Sequence, residues 1–213
     1  DTMKYMTAAQ AVQLIESGDS IYIQGSTSVP EVLSQALADR GNELKDVTVY
    51  AAFAVGRQEA PYCKPEYKEA FNVKSLFVAN NIRRWVAEGY GTTIPAFLGE
   101  IPALFRDGTL PLDAVFLNVS PPNEEGYCSF GISADLAVSA TECARKVIVQ
   151  INKSIPYSYG DALIHVSRID AVFLGETSKS FAISVAIGFA ITIATVLFAV
   201  AISISPTKRP IPS

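Results

Sequence analysis

Short runs of β-branched and apolar residues alternate with helical segments along the first 175 residues, and no other feature narrows the possible folds as much. Strands are expected at Ser20 to Gln24, Val47 to Ala52, Ser75 to Val78, Ala114 to Val119, Lys146 to Gln150 and Ala171 to Leu174. Between them lie helix signals. Thr7-Ala8-Ala9-Gln10 reads as a capping box opening a helix with Ala11, Val12, Leu14 and Ile15 on its apolar face, stopped by Ser17-Gly18. Ser28 with Glu31 reads as a second capping box, with Pro30 in the first turn and Val29, Leu33 and Leu37 turned inward. A short helix ends near Asp107-Gly108, and Ser133 reads as the cap of a helix running to Glu142. Strands that alternate with helices predict an α/β fold, an open and largely parallel sheet with helices on both faces. In such sheets ligands bind beyond the carboxyl ends of the strands.

Two segments leave strands at that end. The first is Gln24-Gly25-Ser26-Thr27-Ser28-Val29-Pro30, a strand-to-helix turn whose amides at a helix N-terminus suit phosphate, carboxylate or a developing oxyanion. It has neither the GK[ST] of a Walker A loop nor a GxGxxG pattern. The second is Ser120-Pro121-Pro122-Asn123-Glu124-Glu125-Gly126-Tyr127-Cys128-Ser129-Phe130-Gly131, which follows the apolar run Ala114 to Val119 without a break. Its prolines fix φ and its glycines permit φ > 0, so it can be rigid outside any helix or strand. The Gly25 to Ser28 turn and the Pro121 to Gly126 loop are therefore expected at one edge of one sheet.

Charge and cysteine usage limit the chemistry. All 21 acids lie at or before Glu176, whereas three of the 17 bases follow it, so the first 176 residues carry 14 bases against 21 acids. A body that acidic argues against nucleic acid as partner, since phosphate neutralisation needs clustered bases. Arg83-Arg84, an adjacent basic pair, reads either as a solvated helix face or as an anion site. Cys63, Cys128 and Cys143 are odd in number and show no metal spacing, which fits a reducing compartment and predicts no metal. Cys128 in the second loop and Ser133 are formal candidates for a nucleophile, and the one histidine, His165, would have to approach either for a hydrolase of that kind. The competing readings are a packing cysteine, a helix cap and a structural histidine. Glu124-Glu125 is expected to face solvent.

From Phe181 to Ser205 no residue is charged, a length sufficient to cross a bilayer as a helix, with Lys208 and Arg209 beyond it. The same run alternates in the manner of a strand, as at Ile183, Val185, Ile187 and Phe189. A membrane-spanning tail and a buried hairpin or foreign extension both remain open. The division expected is 1–176 as one domain and 177–213 as an apolar tail.

Three stretches carry a family resemblance: AVQLIESGDSIYIQG from Ala11 to Gly25, SPPNEEGYCSFG from Ser120 to Gly131, and GDALIHVSRID from Gly160 to Asp170. Together they resemble the acetyl-CoA hydrolase/transferase family, the class I coenzyme A transferases, over the body from Tyr5 to Ile169. The resemblance implies a CoA-transferase-like first domain of two. A glutamate on the second domain would attack the acyl-CoA thioester, and no residue of this chain is assigned that role. It implies coenzyme A as substrate rather than permanently bound cofactor, acyl-CoA and small carboxylates as partners, and a missing second domain or homo-oligomer partner. By match of motif, substrate and CoA contacts fall on Gln24, Gly25, Ser26 and Thr27 and on Pro121, Pro122, Asn123 and Gly126. An intracellular location, cytoplasm or mitochondrial matrix, is the matching expectation. The rival reading, of another class, is a non-catalytic acyl-CoA or anion-binding module tethered by the tail.

Overall fold

A computed structural model describes residues 5–54 and 59–175. Ten strands and five α-helices follow one another as β1 (Tyr5–Met6), α1 (Ala8–Ala11), β2 (Ser20–Ile23), α2 (Glu31–Ala38), β3 (Val47–Ala51), β4 (Phe71–Ser75), α3 (Asn80–Ala87), β5 (Gly91–Thr93), α4 (Ile101–Arg106), β6 (Ala114–Val119), β7 (Tyr127–Ser129), α5 (Asp135–Cys143), β8 (Lys146–Ile151), β9 (Leu163–His165) and β10 (Ala171–Leu174). Eight of the strands form one sheet in the order β1-β10-β8-β6-β2-β3-β4-β5, every pairing parallel. The other two, β7 and β9, make an antiparallel ribbon.

The chain moves outward from β2 through β3, β4 and β5, then returns to lay β6 on the other side of β2. Neighbouring strands whose connections leave in opposite directions open a crevice at their carboxyl ends, so β2 and β6 form the switch point of this sheet.

Burial on both faces follows from the sequence of β6, all six of whose residues are buried. Ala114 and Phe116 face one layer, with Ile21, Ile23, Val49, Leu33, Leu37, Ile82 and Trp85. Val115, Leu117 and Val119 face the other, with Tyr22, Tyr50, Phe105, Leu136, Ala137 and Val149. Truncating one fully buried leucine such as Leu33 or Leu117 to alanine costs about 2–5 kcal/mol, so neither layer is dispensable.

The amino edge is fastened by carboxylates. Asp113 accepts the Ser20 amide at 2.8 Å, Asp170 accepts that of Val147 at 2.7 Å, and Asp19 meets Lys146 at 2.9 Å. The first two satisfy strand-end amides that have no ladder partner, and the third is an ion pair with a side-chain ammonium. No such carboxylate network spans the carboxyl edge among the described residues.

Several expectations need correction. The Thr7 and Gln10 box forms as expected, but its helix tightens to a 3-10 turn at Val12–Leu14 and leaves Leu14 exposed. The strand expected at Ser75 to Val78 lies earlier, at Phe71–Ser75, because Phe77 turns outward at the edge to meet Phe53 edge to face, ring centroids 5.2 Å apart. Ser28 does not cap α2: Pro30 occupies its N-cap, and the buried Ser28 hydroxyl has no partner among the described residues. Val29 is half-buried rather than core. Ser133 does not cap α5, whose N-cap is Ala134. Arg84 pairs with Glu88 one turn on at 2.9 Å and lies over the Trp85 ring, which makes that pair a solvated helix face. The apolar run at 181–205 and the boundary expected at 176/177 lie outside the described residues, and among the described residues no helix is long and apolar enough to cross a membrane.

Candidate functional site at the β2/β6 switch point

Gln24 follows β2, is fully buried, and holds the crevice together. Its Oε1 accepts the backbone N–H of Asn118 in β6 at 2.7 Å, and its Nε2 donates to the carbonyl of Ser133 at 2.9 Å. Its own backbone N–H donates to the Phe116 carbonyl at 3.0 Å, continuing the β2/β6 ladder. One side chain thus joins the first turn, the strand that carries the second loop, and the segment beyond that loop. Thr27 adds a hydroxyl contact to Ser133 at 3.3 Å.

The turn of residues 25–28 is shaped by close backbone approach. A Cβ on Gly25 would lie 2.5 Å from the carbonyl oxygen of Phe53, so only glycine fits there. Ser26 takes φ 56° and donates its N–H to the same carbonyl, while the Ser28 N–H donates to Gly25 at 3.2 Å. Ser26 also bridges Ala54, which ties the turn to the end of β3. The amides of Gln24, Ser26 and Ser28 are therefore committed to the fold, and the Thr27 N–H has no partner among the described residues. The Gly25 amide lies beside the Tyr22 phenol without forming a well-aligned hydrogen bond. Burial, and then the Asp135 carboxylate, hold that phenol well above its ordinary pKa, with the Gly25 amide pulling the other way. The turn's capacity to stabilise an anion narrows to Gly25 and Thr27.

The second loop leaves β6, next to β2, at the same edge. Ser120 accepts the Ser129 amide at 2.8 Å and closes its base. Pro121 and Pro122 are half-buried. Asn123 spends its side chain on the loop itself, Oδ1 accepting the amides of Glu125 at 3.1 Å and Tyr127 at 2.8 Å. Gly126 has φ 84°, and a Cβ there would lie 2.9 Å from His165 Nε2. Its carbonyl accepts the Val166 amide at 2.9 Å. The turn and the root of the loop are thus brought together through Gln24, Asn118 and Ser133, while the loop's tip is tied to the ribbon. Glu124 and Glu125 are exposed, as expected.

Cys128 and His165 do not form a catalytic pair. In the ribbon Tyr127 lies opposite His165 and Cys128 opposite Ile164, so successive side chains put the thiol and the imidazole on opposite faces. His165 meets Tyr127 edge to face, ring centroids 4.9 Å apart, and engages the Ser167 hydroxyl through Nδ1 at 2.8 Å. Burial pushes the Cys128 thiol up to about 11, away from nucleophilic use. Ser133 is buried against Thr27 and lacks an imidazole partner among the described residues.

Sequence reasoning passed over Asn118 and misassigned Ser133. Asn118 was visible as a polar residue in an otherwise apolar strand; it lies in register with Gln150 of β8, and each buried amide keeps a carbonyl oxygen without a partner among the described residues. Ser133 was read as a cap, although its contacts are with Gln24 and Thr27.

Residues 2–183 match the acetyl-CoA hydrolase/transferase N-terminal domain. The 4-hydroxybutyrate coenzyme A transferase of Clostridium kluyveri is 35% identical over 169 residues, 79% of this chain and 39% of that protein. Among solved structures, RipA from Yersinia pestis superposes with TM-score 0.73 at 26% identity, covering 82% of this chain and 42% of its own. The 4-hydroxybutyrate CoA-transferase of Porphyromonas gingivalis superposes with TM-score 0.68 at 30% identity, covering 81% and 39%. The chain spans about two fifths of the length of the curated relatives it matches. It belongs to the acetyl-CoA hydrolase/transferase family and corresponds to that family's N-terminal domain.

Proposed function

We propose that this chain supplies the first-domain half of a site that moves coenzyme A between an acyl-CoA and a small carboxylate, or to water. The observation that carries the reading is the Gln24 brace, which fixes the Gly25 turn and the root of the 121–126 loop in one crevice at the switch point. In this reading the Gly25 and Thr27 amides face the thioester carbonyl. Donors placed at a developing oxyanion typically contribute about 3 kcal/mol each. Pro121, Pro122, Asn123 and Gly126 form a stiff wall beside the pantetheine and the acceptor, with Asn123 acting by shaping the loop. Gln24 and Ser26 position the turn.

The nucleophile in this reading is a glutamate carboxylate from a second domain. It attacks the acyl carbon and expels CoA thiolate, giving a mixed anhydride. The thiolate then attacks the glutamyl carbonyl, releases the first carboxylate and leaves a glutamyl-CoA thioester. An acceptor carboxylate reverses the two steps, and water ends the cycle as hydrolysis. Residues 1–176 would form the domain concerned, with coenzyme A as a substrate and no resident cofactor.

The test is reconstitution. The chain is mixed with the separately produced C-terminal part of the Clostridium kluyveri relative, and labelled acetate is followed into acetyl-CoA. Exchange by the mixture and none by either part alone is expected. No exchange from the mixture, where the relative's own two parts do reconstitute, contradicts the reading.

A further inference from the structure

The imidazole of His165 is wedged between the tip of the 121–126 loop and the chain that follows β9. Its Nε2 packs against Gly126, where a Cβ would lie 2.9 Å from it, and the ring meets that of Tyr127, its partner in the ribbon. On the other side the same ring is the N-cap of a 3-10 turn at Val166–Arg168. Nδ1 accepts the backbone N–H of Ser167 at 3.3 Å and lies 2.8 Å from the Ser167 hydroxyl. Val166, the first residue of that turn, donates its own N–H to the Gly126 carbonyl at 2.9 Å. One ring therefore sets the turn whose leading amide holds the loop.

Only a ring nitrogen without a proton accepts an N–H, so the arrangement requires the neutral imidazole with its hydrogen on Nε2. A second proton, taken from solvent at mildly acidic pH, goes to Nδ1 and sets two N–H groups against each other. The Ser167 hydroxyl turns to accept from the new donor, but the Ser167 amide loses its partner and the turn loses its cap. The half-buried ring faces Tyr127 and the exposed Glu124 and Glu125 from the loop, and shares an open cleft with Asp161, Arg168 and, from α5, Glu142. Among the described residues none of these charged groups is hydrogen-bonded to the ring, so none holds the turn in place of the cap.

We infer that neutral His165 is a positioning residue for the CoA-thioester site: it sets the tip of the 121–126 loop through the Val166 anchor, and its protonation releases that tip and weakens thioester binding. The inference rests on the proposed site, in which Pro121, Pro122 and Gly126 wall the pantetheine. The ring acts through Gly126 and not on the thioester itself.

The test is calorimetric titration of the full chain with acetyl-CoA at about pH 7.5 and about pH 5.5, in the parent, His165→Asn and His165→Ala. Asparagine is a strong N-cap and does not titrate, so it keeps the acceptor for the Ser167 amide at both pH values. At the higher pH His165→Asn should bind within about twofold of the parent, and His165→Ala at least about threefold more weakly, the scale of one lost cap. On acidification the parent should lose at least about threefold more affinity than His165→Asn, which carries every other titration of protein and ligand unchanged. Amide hydrogen exchange at the higher pH should be faster over 121–127 and 163–168 in His165→Ala than in His165→Asn, which ties the lost affinity to the loop tip. The same pH dependence in the parent and His165→Asn, binding by His165→Asn as weak as by His165→Ala, or binding by His165→Ala as tight as the parent's overturns the positioning role while leaving the thioester site in place. Failure of the parent to bind acetyl-CoA at either pH overturns the site reading and this inference with it.

Discussion

The Gln24 side chain accepts the backbone N–H of Asn118 at 2.7 Å across the β2/β6 switch point, and both residues are buried. This contact links the turn after β2 to the strand that delivers the proline-rich loop. Replacing Gln24 by alanine orphans the Asn118 amide and the Ser133 carbonyl together. Each such buried group costs about 1–3 kcal/mol, so Gln24→Ala should lose about 2–6 kcal/mol in urea unfolding. Gln24→Glu keeps the acceptor for Asn118 but sets a carboxylate against the Ser133 carbonyl, and should be destabilised as well. A loss below about 0.5 kcal/mol in both variants contradicts the brace.

Gly126 is required by its backbone and by its neighbour. Its φ of 84° disfavours any β-branched side chain, and His165 Nε2 occupies the place of a Cβ. Gly126→Val should cost about 2 kcal/mol or more, whereas Glu125→Ala, on an exposed side chain, should lie within about 0.5 kcal/mol of the parent. Combining Gly126→Val with His165→Ala should recover part of the loss, because the clash is relieved and the strain is not. Equal unfolding midpoints for the two single variants contradict a special glycine geometry.

Much of this frame was legible from residue patterns. β6 and β10 fall where the apolar runs stop, and the Thr7 and Gln10 box forms as written. β4 was misplaced because Phe71-Asn72-Val73-Lys74-Ser75 alternates over only five residues, while the more apolar Leu76-Phe77-Val78 follows it. The ribbon of β7 and β9 has strands of three residues each, too short to show a period. At the site, the two loops could be read from their composition, but the joint between them could not. Gln24 acts through the backbone groups of Asn118 and Ser133, and side-chain pattern carries no trace of which amides are left without ladder partners. Ser28 and Ser133 misled for a related reason: a hydroxyl near a helix start is a cap only where the chain presents it to the free amides.

The cysteines give a dependence on pH. Burial pushes the thiols of Cys63 and Cys128 from 9.0 up to about 11. Above pH 9 the unfolded chain releases these protons while the native chain keeps them, so their contribution to stability is constant below pH 9 and falls between pH 9 and 11. Urea midpoints taken across that interval should decline, and less steeply in Cys63→Ala with Cys128→Ala. At pH 8 roughly one thiol in a thousand is ionised at a pKa of about 11, so iodoacetamide should label the half-buried Cys143 well before the other two. Labelling of Cys128 first contradicts the buried, inert assignment.

The chain alone should show no CoA transfer or thioester hydrolysis above the uncatalysed rate, since the reading places the nucleophile on a second domain. Turnover by the chain alone that survives Cys128→Ser contradicts it and requires a nucleophile among its own residues.

The central claim is that CoA thioesters bind in the β2/β6 crevice, and amide hydrogen exchange of the full chain with and without acetyl-CoA tests it most directly. The account predicts slowed exchange in peptides covering 24–30 and 118–126, where the Gly25 and Thr27 amides and the proline-rich loop lie, with the amino edge around Asp19 and Asp113 unchanged. Slowed exchange confined to the separate cleft beside β4 and β5, which Lys68 and Lys74 line, would contradict it.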